Sequence, residues 1–225
     1  MRVIILYERA RLSILMCTLL FLTASVPVWG NSSPSPIGTV KEIRSGTLEH
    51  QDKNIWKPLT AGMAISANDR VRTSSDGMAV LTINETGAIL IGPGTEYYLG
   101  DPSRGFKSLL KRGYLWISAK LPPGRTMSVA TDRAVSGVRG TKFSVIQDAQ
   151  GMDVCTCKGA VEVYLKDGKT MNITSGMYGE INASGKMGTP EKGKPHLEKI
   201  WNEKPPRYQA CLSCHRRGQK IGDLN

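Results

Sequence analysis

The chain has 225 residues, including 24 glycines but three histidines, and 30 Lys and Arg against 19 Asp and Glu give a formal net charge of +11. That length allows one domain with an appendage once an N-terminal segment is set aside. Basic residues alternate with acids, as in Lys41-Glu42, Asp69-Arg70 and Glu162 to Lys166, and no cationic stripe forms, which argues against a nucleic-acid partner.

Residues 1–30 read as a secretory signal. Arg2, Arg9 and Arg11 precede an apolar run from Leu12 to Ala24, and Val28 and Gly30 come before a cut ahead of Asn31. The run is short for a membrane span of about 20 residues, so an uncleaved anchor that tethers the protein to the membrane is the alternative. Ile14-Leu15-Met16 before Cys17 is not a lipoprotein cleavage box, and no lipid anchor is expected. No second apolar stretch follows, so the processed chain is expected to be soluble and periplasmic. Without the three arginines and one glutamate of the signal its formal charge is +9.

From residue 38 to 181 short alternating segments are separated by glycine. They include Gly38–Ile43, Gly77–Ile83, Ala88–Ile91, Tyr114–Ser118, Thr141–Ile146 and Ala160–Leu165. Turn sequences such as Asn84-Glu85-Thr86-Gly87 and Lys166-Asp167-Gly168-Lys169 bound them, the pattern of strands joined by tight turns. The fold class is therefore all-β, a solenoid-like sandwich or roll of short strands, with a barrel as the other closure. Gly105 to Lys111 is the one place in this region where a short helical turn is expected. The similar strand starts recur at irregular intervals and do not constitute a sequence repeat.

Four cysteines remain beyond the signal, in two tight pairs. Cys155-Thr156-Cys157 falls on a predicted strand, where both sulfurs share one face roughly 6 to 7 Å apart. A disulfide between them requires a kink. Two buried thiols, a strained redox pair and two soft metal ligands are the readings left open there. A four-thiolate zinc site with Cys211 and Cys214 is a further one.

Residues 182–194, rich in glycine, lysine and serine, read as a linker, and residues 195–225 form a short irregular or helical tail with a brief helix over Pro195–Trp201. This tail carries Cys211-Leu212-Ser213-Cys214-His215. Two thiols at C-x-x-C spacing with an adjoining histidine are the pattern of covalent haem c attachment. One haem c is therefore expected on Cys211 and Cys214, with His215 as axial iron ligand. His196 is the candidate second axial ligand, with His50, Met177 and Met187 as other possibilities. Arg216 and Arg217 suit haem propionates, and Trp201 and Tyr208 supply apolar surface. The tail is too small to enclose a haem alone, so it is expected to pack on the β domain or another chain.

Several stretches of the β region resemble the FecR domain family, the periplasmic β domain of iron-uptake regulators. They are Gly38-Thr39-Val40, Trp56 to Gly62, Asp69-Arg70-Val71-Arg72-Thr73, Ala79 to Ile83 and Ile89 to Thr95. Val129-Ala130-Thr131, the distinctive Val138-Arg139-Gly140-Thr141-Lys142-Phe143 and Gly159 to Val163 complete the match. The resemblance implies protein binding and signalling without catalysis. Eleven residues precede the apolar run, so a cytoplasmic sigma-binding domain is not expected. Of the motif residues, Gly140 is expected at positive φ, with Thr141 and Phe143 leading a strand into the core.

No enzyme is expected. Ser118 to Ala134 has no nucleophile elbow, and Gly137-Val138-Arg139-Gly140 lacks the phosphate-loop lysine. The resulting expectation is a periplasmic module with one haem c, acting in electron transfer or redox or ligand sensing with an envelope protein or redox partner. The rival is a haem-free binding module whose C-x-x-C closes a disulfide or binds zinc. Thiol–disulfide exchange by Cys211 and Cys214 is the third possibility.

Overall fold

A computed structural model describes residues 36–214, with side chains to Leu212. The signal at residues 1–30 and the segment with His215, Arg216 and Arg217 lie outside the described residues, as does the Cys214 side chain. In chain order the strands begin with β1 Pro36–Ser45, β2 Leu48–Asp52, β3 Ile55–Leu59, β4 Ala64–Ser66 and β5 Arg70–Thr73. There follow β6 Met78–Ile83, β7 Gly87–Ile91, β8 Glu96–Tyr98, a long β9 Lys107–Ala119, β10 Met127–Ala130 and β11 Ala134–Val138. The series ends with β12 Lys142–Gln147, β13 Gly151–Lys158, β14 Ala160–Leu165, β15 Thr170–Thr174, β16 Met177–Asn182 and β17 Glu191–Lys192. Two helices complete it, α1 Gly193–Glu203 and α2 Gln209–Cys214.

The strands form two sheets that share β9. One has the order β4-β1-β6-β7-β9-β12-β13-β16-β17. The other has the order β3-β2-β5-β8-β9-β10-β11-β14-β15. All pairings are antiparallel except β9 with β10. The chain makes a hairpin in one sheet and then crosses to the other, and the roll stays open at both edges of each sheet. A barrel is not formed. The expected all-β roll with a helical tail is what the structure shows.

A single apolar core fills the space between the sheets, with Val40, Leu81, Ile91, Leu115, Phe143, Val145 and Val154 from one side. Leu48, Val71, Tyr97, Leu110, Val129, Val163 and Ile173 come from the other. β9 joins the two sheets by bending at Gly113, whose φ is +103°. Its residues before the bend pair with β8 and β10, and those after it pair with β7 and β12. The short helix expected over Gly105 to Lys111 is not there. A 3-10 turn at Pro102–Arg104 precedes it and Lys107 already begins β9. Ladder bonds on both sides of β9 outweigh the local turn preference of Gly105.

The two outer faces differ. In β14 and β15 burial alternates strictly, and their outward residues meet water. On β2, β3, β5 and β8 the outward residues form a polar network. Arg70 contacts Glu96 at 2.6 Å and Arg72 contacts Glu49 at 2.6 Å, with both guanidiniums against the Trp56 ring. The outer face of the β6–β7–β9–β12–β13 sheet is apolar and covered. Met78, Val80, Leu90, Tyr114, Trp116, Ile146 and Cys157 pack there against Leu197, Ile200, Tyr208, Ala210, Cys211 and Leu212 of the tail.

The expected linker is only partly one. After β16 the chain turns back, Asn182 Oδ1 accepting from the amides of Ser184 and Lys186, and Ile181 bridges Met187. β17 then adds to β16, and Gly193 N–H donates to Gly176 at 2.7 Å. These ladder bonds aim α1 across the covered sheet, and its span extends the helix expected at Pro195–Trp201 by a few residues at each end. Lys204, in the left-handed region at φ 47°, closes α1 by donating to Ile200 O.

Candidate functional site

The site lies where the tail meets β12, β13 and β16. On β13 the side chains of Met152, Val154 and Thr156 enter the main core, so Asp153, Cys155 and Cys157 form a row on the outer face. This places both cysteines on one face of one strand, as expected from their spacing. Cross-strand neighbours of Cys155 are Ser144 on β12 and Tyr178 on β16, and those of Asp153 are Ile146 and Glu180.

The tail descends on that row through Arg207 and Tyr208. Asp153, 3% exposed, accepts a 2.8 Å hydrogen bond from the Tyr208 hydroxyl and lies 3.1 Å from Arg207 Nη2. Arg207 Nη1 reaches Asp148 at 3.1 Å and Gln150 at 3.3 Å, so one guanidinium spans two carboxylates. The hydroxyls of Tyr178 and Tyr208 are 3.3 Å apart. Burial pushes the Asp153 carboxyl up to about 6, against the opposing pull of Arg207 and the Tyr208 hydrogen bond.

His196 stacks on Tyr178, ring centroids 3.8 Å apart and 12° from parallel, with Tyr208 edge-on at 5.2 Å. Desolvation lowers its pKa to about 4, with nearby Lys199 adding to the effect, so it is neutral at physiological pH. Cys211, at 8% exposure on α2, packs beside Cys157, Ile200 and Ala210. Cys155, Cys211, His196, Tyr178, Tyr208 and Asp153 line one cavity of about 20 Å³. Such a space holds roughly one water.

Of the residues expected from sequence to hold a cofactor, the structure brings Cys211 and His196 to the same cavity. His50 is on β2 of the other sheet, and Met177 and Met187 pack against the main core. The described side chains do not give a porphyrin space at Cys211. The cavity there is about 20 Å³, and His196 is stacked on Tyr178. Thioether attachment at Cys211 would need the tail to lift from this packing. Cys155, Cys157 and Cys211 are thiols, and the hydrogen bond with Cys157, then burial, pushes the Cys155 thiol well up. Among the described residues no three His, Cys, Asp or Glu side chains converge as a metal-ligand set.

Asp153, Arg207 and Tyr178 were not singled out by sequence. The readable signal was the loss of alternation in Met78-Ala79-Val80-Leu81 and Tyr114-Leu115-Trp116-Ile117, apolar on both faces. Such strands need a cover, and the tail is the segment that supplies it. Val138 to Phe143 behaves as scaffold, with Gly140 at φ 64° and Thr141 and Phe143 buried.

A comparison with protein families matches residues 69–162 to the FecR protein family, a narrower span than residues 38 to 181. No curated protein matches the chain. Two solved structures, each of a "putative anti-sigma factor" from Parabacteroides distasonis ATCC 8503, share the fold at 18% identity. One has a TM-score of 0.50 over 55% of this chain and 59% of its own, the other 0.52 over 59% and 64%. The chain thus spans less than two thirds of the length of either. From β5 to the start of β14, this molecule is similar to the FecR protein family.

Proposed function

We propose that the chain is an exported, non-enzymatic FecR-type module that binds an envelope protein and whose tail is the responsive element, with one haem c on Cys211 and Cys214 and His215 as its iron ligand. The observation that carries the tail's role is that the helix bearing Cys211 rests directly on the sheet, held by Arg207 and Tyr208 on Asp153, while the haem rests on the Cys211-Leu212-Ser213-Cys214-His215 spacing. The solved relatives described as anti-sigma factors support a protein as partner. A bound haem would supply one-electron or ligand-binding chemistry at its iron. Haem on Cys211 would take that residue out of the apolar cluster it shares with Tyr114 and Trp116, so a change at the tail would become a change in the surface offered to a partner.

A haem-free reading is favoured by one observation, the burial of Cys211 beside a one-water cavity. There the tail is a permanent cover. Expression of the full chain in a host with a cytochrome c maturation system separates the two. Soret absorption and a haem-staining band on a denaturing gel are expected. A colourless protein of unmodified mass overturns the haem reading.

A further inference from the structure

We propose that Cys155 and Cys211 form a disulfide that locks the tail onto the sheet whenever Cys211 carries no haem. The two residues are 56 positions apart, yet both line the same cavity of about 20 Å³. A disulfide needs β-carbons about 3.8 Å apart, and the cavity that both residues line holds no more than roughly one water. β13 holds one sulfur on a paired central strand, and α2 offers the other from a short helix.

Cys157 is the competing partner: it interacts with Cys155 from the same strand face, beside a register shift against β12, and a bond between them would demand a kink in β13. Cys155 is also the more exposed of the β13 pair, with Cys157 4% exposed, so an oxidant reaches it first. The oxidant is a disulfide, small or protein-borne. The Cys155 and Cys211 thiols each lose a proton and together two electrons to it, forming one S–S bond while its own S–S bond becomes two thiols. The bond would close a loop of more than fifty residues and hold α2 against β13.

This inference rests on the docked tail and not on the haem, and the two fail separately. The full chain is exported in a strain lacking haem ligation, alkylated without reduction and mapped by peptide mass spectrometry. A Cys155–Cys211 peptide is expected in most of the protein, retained in Cys157→Ser and absent in Cys155→Ser. Tail amides should exchange more slowly in the crosslinked protein than after reduction. Alkylated Cys211, or Cys211 bonded to Cys214 or Cys157, overturns the proposal. The Soret experiment is unaffected by any of these outcomes, since it uses a ligating host.

Discussion

Two residues under the tail titrate in opposite senses. Asp153 rises from 3.8 to about 6 on burial, so its protonated form favours docking. That contribution is complete below about pH 4 and fades as the pH climbs through about 6. His196 falls from 6.5 to about 4, so its contribution is complete above pH 6.5 and fades as the pH drops toward 4. The remaining groups facing them are Arg207, Glu180 and the hydroxyls of Tyr178 and Tyr208 for Asp153, and Lys199 for His196. The shifts are of similar size, so tail docking in the haem-free chain should vary little between pH 4 and 6.5. Single variants should unmask each half. His196→Phe keeps a ring on Tyr178, and its tail should dock better at pH 4 than at 6.5. Asp153→Asn should show the reverse. Hydrogen exchange of α1 against pH reads both, and parallel slopes in the two variants would sink the assignment.

Strand β9 sets the architecture. A strand of 13 residues serves both sheets because it can turn at Gly113, where a β-carbon would come within 2.4 Å of Thr95 Cα. Thr95 Oγ1 accepts from the Tyr114 amide at 3.0 Å and fixes the bend, and a register shift against β8 adds local twist. Gly113→Ala meets both a φ of +103° and a backbone clash. It should cost on the order of 2–4 kcal/mol. Chemical denaturation checks this, and a loss below 1 kcal/mol would show that the bend tolerates a side chain. Here the sequence was least legible. Gly-Tyr-Leu-Trp-Ile announces a strand beginning at Tyr114, but nothing local says that Lys107 to Arg112 belongs to a different sheet. The hairpins Ile83–Gly87 and Leu165–Thr170 were legible because turn chemistry is local: Gly168 takes φ 84° and Glu85 φ 55°.

The molecule has two apolar clusters, and they bear unequal weight. The inner one joins both sheets, while the outer one joins a single sheet to the tail. Strand identity and the position of the inner core follow from alternation, which is why residues such as Phe143 and Val163 could be placed from sequence. The outer cluster depends on contacts between residues far apart in the chain, such as Trp116 with a tail that begins about eighty positions later, and no periodicity encodes those. The motif at Cys211 was legible for its chemistry, and its burial was not. The division predicts two levels of cooperativity. Phe143→Ala, in the inner cluster, should cost about 3–5 kcal/mol and lower the melting of every strand together. Ile200, 2% exposed in the outer cluster, is equally buried but holds only α1. Ile200→Ala should raise exchange of tail amides by the equivalent of roughly 2–4 kcal/mol while the strands keep their protection. If the strands lost protection equally in Ile200→Ala, the tail would be part of the folding core, and a tail that lifts to expose Tyr114 and Trp116 without unfolding the sheets would no longer be tenable.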